Sequence, residues 1–166
     1  MSEQDRGILL RRATQDDLAA AGAVTVAAYE EFVHGPADPY VERLRDAAAR
    51  AREAELWVAE LDGAVVGTVT IAPEGSPWRE IGADGEGEFR MLAVAPAARR
   101  RGVGEALMQL VLDRFRERGA HAVVLSSLAE MTAAHRVYER AGFRRLPDRD
   151  WSPIPGVDLL AFRLEL

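Results

Sequence analysis

Cysteine is absent from the 166-residue chain. Its absence excludes disulfide bonds, thiolate metal sites and a catalytic thiol, and it is compatible with a reducing cytoplasm. The three histidines, His34, His121 and His135, do not have the spacing of a metal-ligand motif. No Gly-x-Ser-x-Gly segment indicates a serine hydrolase. We therefore expect no metal and no covalent catalysis by a thiol or an activated serine.

Long hydrophobic runs are also missing. The apolar stretches are short and interrupted, and none approaches the ~20 residues that a membrane-spanning helix needs. Residues 1–5 are polar and acidic, which is unlike a secretory signal peptide. We expect a cytoplasmic protein without a membrane partner.

Basic residues are the minority, with 21 Lys and Arg against 27 Asp and Glu and a formal net charge of −6. Because nucleic-acid binding usually needs a basic face, we expect no nucleic-acid partner. The charge is nevertheless uneven along the chain. Residues 73–88 contain one arginine and five carboxylates, whereas three arginines are consecutive further on; these residues are Glu74, Glu80, Asp84, Glu86 and Glu88, and Arg99, Arg100 and Arg101. A basic site beside an acidic loop predicts a polyanionic cofactor and a cationic partner.

The hydrophobic pattern indicates a single domain over residues 1–166, since the length suits one core and no repeat or low-complexity linker interrupts it. A hairpin turn is predicted at Asp62-Gly63 and a long polar loop over 73–85. The predicted strands are 8–12, 56–60, 65–71, 88–94, 121–126 and 157–166, and the predicted helices are 16–32, 40–53, 102–118 and 131–140. We expect a mixed α/β or α+β fold with about four helices around a sheet.

Residues 91–104 run from a strand through a turn into a helix. Pro96 ends the strand, the arginine run follows, and Gly102 and Gly104 open the helix. The first N–H groups of a helix lack internal partners and the helix dipole is positive there, so phosphate oxygens bind well. Glycine lets the backbone approach an anion closely, and arginine adds charge and paired donors. This segment is a candidate phosphate site.

A Gly-x-Gly pair alone could simply begin a helix beneath a solvated arginine face. The combination of strand, proline, three arginines and apolar helix favours the phosphate site instead. A P-loop is excluded because no Lys-Ser/Thr follows the glycines. A Rossmann dinucleotide turn fits poorly, because Leu107 occupies the third glycine position and the unit lies in mid-chain.

Two motifs resemble one known family. Arg99-x-x-Gly102-x-Gly104 is similar to the Arg/Gln-x-x-Gly-x-Gly/Ala signature of the GCN5-related N-acetyltransferases (GNAT), and residues 135–143, His-Arg-Val-Tyr-Glu-Arg-Ala-Gly-Phe, resemble its Leu/Val-Tyr-Glu-x-x-Gly-Phe segment. Close agreement covers residues 88–143, and the predicted element order agrees over nearly the whole chain. The resemblance implies a mostly antiparallel sheet that splays after its fourth strand. That strand, which ends at Val94, would carry a bulge and part from the strand at 123–126.

The resemblance also implies that acetyl-CoA, or another acyl-CoA, is the cosubstrate and that a primary amine attacks its thioester directly. The backbone of Leu92 and Val94 would bond pantetheine. The Leu92 N–H would polarise the thioester carbonyl. Glu88 would act as general base, and Tyr138 would contact the cosubstrate and protonate its leaving sulfur. The pyrophosphate would lie on Arg99, Arg100, Arg101, Gly102, Val103, Gly104 and Glu105.

Each assignment has an alternative. Glu88 could be an ordinary strand-end charge, and Tyr138 could be a core residue on the apolar stripe of its helix. Met131 stands where many family members carry Asn, so this chain lacks that side-chain contact to pantetheine. The main alternative function is a non-catalytic acyl-CoA-binding or regulatory module on the same fold. A mononucleotide-binding domain of another class is a third hypothesis.

The amine acceptor is not identified by the sequence. The acidic loop predicts a cationic acceptor, which would be concentrated electrostatically at the mouth of the site. By the resemblance, loops 34–40 and 73–85 would border the acceptor, and His34, Tyr40 and Trp78 could form its walls. Pairing of two chains into a homodimer is compatible with the family as well.

Overall fold

The computed structural model describes residues 7–166, so the signal-peptide prediction for residues 1–5 lies outside it. Its strands are β1 (Ile8–Arg12), β2 (Glu55–Leu61), β3 (Ala64–Ala72), β4 (Glu86–Val94), β5 (Ala122–Leu128), β6 (Arg144–Arg145), β7 (Trp151–Ile154) and β8 (Val157–Glu165). Its α-helices are α1 (Leu18–Tyr29), α2 (Pro39–Arg45), α3 (Ala47–Glu53), α4 (Val103–Glu117) and α5 (Thr132–Arg140). None of these helices is both long and apolar enough to span a bilayer.

The strands form one mixed sheet in the order β1-β2-β3-β4-β5-β8-β6, with β7 paired to β8. Strands β4 and β5 run parallel, and the other pairs are antiparallel. This confirms the predicted mixed, mostly antiparallel α/β fold. The described residues form five α-helices, one more than expected.

Helices cover both faces of the sheet, because strand side chains alternate between the faces. On β2, Ala59 and Leu61 enter the main core with α4 and α5. Leu56 and Val58 enter a second cluster with residues of α1 and α3. The layer of α1 to α3 therefore lies opposite the layer of α4 and α5, and the sheet between them is buried.

The prediction of one helix over residues 40–53 is wrong, because the chain forms two helices there, α2 and α3. The chain turns at Asp46, whose carboxylate accepts the Ala49 N–H at 3.0 Å and caps α3. The buried Arg50 donates to the carbonyl oxygens of Arg43 (2.8 Å) and Leu44 (2.9 Å) in the last turn of α2. An acidic N-cap and a cation at a helix C-terminus both stabilise helix ends, so the break is fixed from both sides.

Strand β4 contains a bulge. Thr70 and Thr68 of β3 pair with Arg90 and Ala93, so β4 holds one residue more than β3 in this interval. Met91 lies in the bulge with φ 53°, a conformation that is uncommon for any residue except glycine. The extra residue bends the strand, as bulges do. The predicted bulge in the strand that ends at Val94 is confirmed.

Strands β4 and β5 part soon after they meet. They pair at three positions, where Glu86, Gly87 and Glu88 lie opposite Ala122, Val123 and Val124. Beyond Glu88 the pairing ends, although β5 continues along β8 as far as Leu128. The predicted splay is confirmed, and it leaves a gap in the middle of the sheet.

The sequence pattern missed β6 and β7. Strand β6 has two residues, which is too short to show any periodicity. Strand β7 contains Pro153, and proline argues against a central strand, but β7 lies off the main path of the sheet and pairs only with β8.

Glu86 is a buried carboxylate at the start of β4 that joins distant parts of the chain. It accepts hydrogen bonds from the guanidinium groups of Arg149 and Arg163 (3.1 Å for Arg163 Nε) and from the Ala83 N–H (2.9 Å). Burial alone would raise the pKa of Glu86. The bonds from Arg149, Ala83 and Arg163 outweigh burial and lower this pKa to about 2.

Replacing Glu86 with glutamine should lower the free energy of unfolding near pH 7 by about 3 kcal/mol, at about 1.4 kcal/mol per unit of pKa shift. Because the pKa is lowered, the stabilisation is complete above the ordinary value of 4.5 and is lost as the pH falls toward about 2. The difference between wild type and Glu86→Gln should therefore shrink over this window. Chemical denaturation at several pH values measures it. Asp84→Asn, an exposed neighbour, is the control and should have little effect. A difference that stays constant with pH would contradict the role assigned to the Glu86 carboxylate.

Candidate active site

A narrow passage of about 40 Å³ lies in the gap between β4 and β5. Its walls include Phe89 and Met91 of β4, the end of β5, and Tyr138 of α5. Next to it lies a larger cavity of about 530 Å³, called the outer cleft below, which is of a size that suits a small-molecule substrate. The two adjoin each other, because five residues line both: Tyr40, Glu80, Arg90, Leu128 and Leu159.

Tyr138 belongs to the core and also faces the passage. Its ring packs edge-on against Phe89 (centroids 6.3 Å apart) and Phe143 (6.1 Å) and lies 6.0 Å from Phe162. Burial raises the pKa of its hydroxyl to about 12, so the group is protonated at neutral pH and able to donate a hydrogen bond. The geometry satisfies both interpretations of this residue, and its role as an acid stays a prediction.

The candidate phosphate turn is concave and ends in a helix. Arg100 (φ 67°) and Gly102 (φ 82°) both adopt left-handed backbone conformations immediately before α4. As the N-cap, Gly102 has no side chain with which to satisfy the first turn. A Cβ added at Gly104 would meet Val94 at an ordinary 3.6 Å. Packing therefore does not require glycine at position 104, whereas a ligand lying against the backbone would.

Three exposed arginines surround this turn. Arg99 and Arg100 are exposed, and Arg101 Nη2 lies 3.9 Å from Asp62 Oδ2. An exposed pair at that distance contributes little, so Arg101 remains able to bind an anion. Leu92 and Val94 are half-buried on β4 beyond the point where β5 departs, and Val103 and Glu105 lie in the first turn of α4. The cosubstrate contacts predicted for these residues stay predictions.

Glu88 is fully buried and holds a loop. Its carboxylate accepts hydrogen bonds from the backbone N–H groups of Glu80 (3.0 Å), Ile81 (3.0 Å) and Gly82 (2.8 Å). These contacts fix residues 80–82 against the start of the gap. They give Glu88 a structural role, since both of its carboxylate oxygens already accept hydrogen bonds from the loop. The base role of Glu88 stays a prediction that no contact supports.

The acidic loop does not present its five carboxylates to the outer cleft. Glu86 and Glu88 are buried, and Glu74 accepts the Gly85 N–H at 3.1 Å. Of the five, Glu80 alone lines the outer cleft, where its Oε1 lies 3.3 Å from Arg90 Nε. The prediction of a cationic acceptor assumed that the loop carboxylates surround the acceptor, and four of the five do not line the outer cleft.

Trp78 does not line the outer cleft, which corrects the expectation that it forms a wall there. Its ring is buried beneath three arginines of the chain itself. The guanidinium carbons of Arg43, Arg90 and Arg50 lie 4.4, 5.4 and 5.9 Å from the ring centroid. His34 and Tyr40 do line the outer cleft, as the resemblance implied.

The other histidines have structural surroundings. His135 Nε2 lies 3.0 Å from the Leu128 carbonyl oxygen and 3.1 Å from Ser127 Oγ. A carbonyl can only accept, so Nε2 carries a proton, and burial lowers the pKa of the ring. The backbone N–H of His121 donates to the Gly85 carbonyl at 3.0 Å just before β5. Neither histidine lines the passage, whereas Met131 does.

Several residues of the passage were not found from the sequence. Tyr29, at the end of α1, lines it, and burial raises the pKa of its hydroxyl well above the ordinary value. Ser126 and Ser127 line it from β5. For Arg90 the sequence did contain a usable signal, since an arginine between the apolar residues Phe89 and Met91 of a strand is rarely buried without a partner.

The sequence profile of the acetyltransferase (GNAT) family matches residues 23–143. Mycothiol acetyltransferase from Cellulomonas flavigena is 38% identical over 128 residues, which make up 69% of this chain and 34% of that protein. N-acetylaspartate synthetase from Rattus norvegicus is 38% identical over 109 residues, 65% of this chain and 34% of that protein. The chain thus spans about a third of the length of these two relatives.

Solved structures share the fold. YncA from Salmonella typhimurium, whose structure contains its cofactor acetyl-CoA, superposes with a TM-score of 0.65 at 24% identity, covering 96% of this chain and 94% of that one. At this identity the similarity establishes the fold and nothing more.

We expect Glu88→Gln to lower the free energy of unfolding by about 2–3 kcal/mol. The amide nitrogen of glutamine cannot accept a hydrogen bond from a backbone N–H, and the bonds from residues 80–82 to a charged acceptor are lost. The amide protons of Glu80, Ile81 and Gly82 should exchange faster with solvent, which hydrogen-exchange measurements detect. Glu74→Gln, at the other end of the same loop, should leave those three amides unchanged. Normal exchange at residues 80–82 together with a lower turnover would instead support the base role of Glu88.

Proposed function

The chain belongs to the GNAT family of acetyltransferases, and we propose that it transfers an acetyl or other short acyl group from CoA to a primary amine. The observation that carries the proposal is the passage between β4 and β5, which Tyr138 helps to line and which adjoins a cleft large enough for a second substrate. A module that only binds acyl-CoA has no need of that cleft. The two relatives are named for different products, so the acceptor does not follow from the family.

The turn before α4 fits the pyrophosphate of CoA. Two left-handed residues, Arg100 and Gly102, curve the backbone, the helix start offers N–H donors, and Gly104 leaves room that packing does not claim. Arg99, Arg100 and Arg101 supply the counter-charge. The bound cosubstrate would supply an acetyl group activated as a thioester. The acetyl-CoA present in the structure of YncA supports this choice of cosubstrate.

Glu80 is the carboxylate best placed to receive a proton from the amine. An alkylamine with a pKa of about 10.4 is protonated near neutral pH and must lose a proton before it attacks. Glu80 lines both the passage and the outer cleft, and burial raises its pKa, which makes it a better base. The ammonium group first gives one proton to Glu80, from which the proton passes to solvent. As the amide C–N bond forms and the C–S bond breaks, the nitrogen gives up a second proton, which goes to the sulfur, and CoA leaves as the thiol.

Tyr138 would assist the departing sulfur by a hydrogen bond. A free thiol has a pKa of about 8.5, far below the value of about 12 for this hydroxyl, so complete proton transfer from Tyr138 is unfavourable. A neutral donor in a buried site still stabilises the charge that develops on sulfur. The same high pKa keeps the hydroxyl protonated over the physiological range.

We expect acetyl-CoA to raise the melting temperature by roughly 5–10 °C at a hundredfold excess over its dissociation constant, since it binds only the folded state. Gly104→Glu should abolish this shift, because the variant places bulk and negative charge in the turn. Gly104→Ala should melt like the wild type in the absence of ligand, since its Cβ fits, and it should show a reduced shift. An unchanged shift in Gly104→Glu would place the phosphates elsewhere.

We expect Tyr138→Phe to lower kcat at least tenfold while the melting shift with acetyl-CoA is kept, because the ring still packs and only the donor is lost. Thiol release from acetyl-CoA measures the rate. The chain contains no lysine, so acetylation of its own side chains does not obscure the signal. Equal turnover by the two proteins would assign Tyr138 to the core alone.

A further inference from the structure

The outer cleft combines apolar walls with a small group of charges. Trp151 and Ile154 of β7 and Val157 and Leu159 of β8 form much of one side. Ile154 is 60% exposed, an unusual state for a large apolar side chain. A substrate seated here would cover apolar surface, which favours a partly apolar acceptor.

Three charged side chains, Arg43, Arg90 and Glu80, lie together in this cleft. Arg90 and Glu80 form an ion pair with 10% and 17% of their side chains exposed. Arg43 forms no salt bridge with a carboxylate of residues 7–166, although its charge, like that of Arg90, opposes the rise that burial causes in the pKa of Glu80. Its guanidinium lies close to the same indole ring as Arg90. Asp38 also lines the cleft, but its carboxylate is engaged with the backbone N–H groups of His34 and Tyr40 as the cap of α2. The charges that line the cleft therefore sum to zero, but the guanidinium donors of Arg43 have no hydrogen-bond acceptor among the described residues.

Arg43 is held in position before any ligand arrives. Its guanidinium carbon lies 4.4 Å from the centroid of the Trp78 ring, a cation–π contact. Its own carbonyl accepts from the buried Arg50 at 2.8 Å. Arg43 is exposed, but the Arg50 bond holds its main chain and the stacking on Trp78 restricts its guanidinium, so less freedom is lost on binding. The planar donors of a guanidinium match a carboxylate.

We propose that the acceptor is a small α-amino acid with an apolar side chain, whose carboxylate binds Arg43 and whose amino group lies beside Glu80. The order of the residues fits this orientation. Glu80 borders both the passage, where the thioester would lie, and the outer cleft, whereas Arg43 borders the outer cleft and not the passage. The side chain of the amino acid would lie against Trp151 and Ile154. This inference rests on the proposed function and reverses the expectation of a cationic acceptor.

Three amines with the same aromatic group test the role of the carboxylate: L-phenylalanine, L-phenylalaninamide and phenethylamine. Arg43→Gln should lower kcat/KM for phenylalanine about tenfold or more, because a charged hydrogen bond is lost, and should leave the two analogues that lack a carboxylate within about twofold. The ratio of wild type to variant for each amine is the deciding quantity, since it cancels differences in their basicity. Thiol release from acetyl-CoA gives the rates.

Arg45→Gln is the matched control. Arg45 is exposed on the same helix, pairs with Glu42 at 2.9 Å and does not line the outer cleft, so the change should affect no amine selectively. A second measurement needs no turnover. In the presence of CoA, phenylalanine should raise the melting temperature of wild type and of Arg45→Gln, but not of Arg43→Gln.

The outcomes distinguish a wrong acceptor assignment from a wrong transferase function. Similar losses for all three amines in Arg43→Gln, or no loss for phenylalanine, would overturn the inference while the transferase function stands. Better use of L-aspartate than of L-phenylalanine would overturn the part that concerns the apolar walls. If acetyl-CoA binds but none of the probes is acetylated, the inference fails. If acetyl-CoA itself does not stabilise the protein, the proposed function fails first.

Discussion

The site depends on one constraint, that β4 stays paired with β5 for three residues and then has to leave it. The extra residue at Met91, with its positive φ, bends β4 away, while β8 keeps β5 on its course. Continued pairing would fill the gap with backbone and bury the hydroxyl of Tyr138 against a closed sheet. The passage, the tyrosine on its wall and the cleft beyond it all follow from this separation of two strands.

Glu88 stands where the strands part and links the sheet to the loop. It is the last residue of β4 that pairs with β5, and its carboxylate accepts hydrogen bonds from the N–H groups of residues 80–82. A buried carboxylate is costly unless such donors satisfy it, so loop and strand hold each other in place. The loop brings Glu80 to the junction of passage and cleft. The position of Glu80 therefore depends on Glu88, even where Glu88 does not touch a substrate.

Local signals in the sequence predicted local structure well. The Asp62-Gly63 turn has φ values of 54° and 82°, as a type I′ hairpin requires, and the strand–turn–helix at residues 91–104 is present. The helix break at Asp46 is a local feature that the periodicity did not show, since its cap and the acceptors of Arg50 lie within seven residues. The pairing of Glu86 depends on distant partners, because Arg149 and Arg163 lie 63 and 77 residues away from it. No short window of residues contains that second piece of information.

The same reason explains why counting carboxylates misjudged the charge of the site. Acidic residues near the start of β4 hold loops together through hydrogen bonds with backbone N–H groups and arginines. These carboxylates are therefore bonded within the fold and do not face the outer cleft. Arg43 is instead held by an aromatic ring, which positions a cation without neutralising it. A chain with a net charge of −6 can therefore offer a positive group to its substrate. The electrostatic environment of a ligand depends on which charged groups near it lack a salt-bridge partner. The net charge sums every charged group in the chain and does not contain that information.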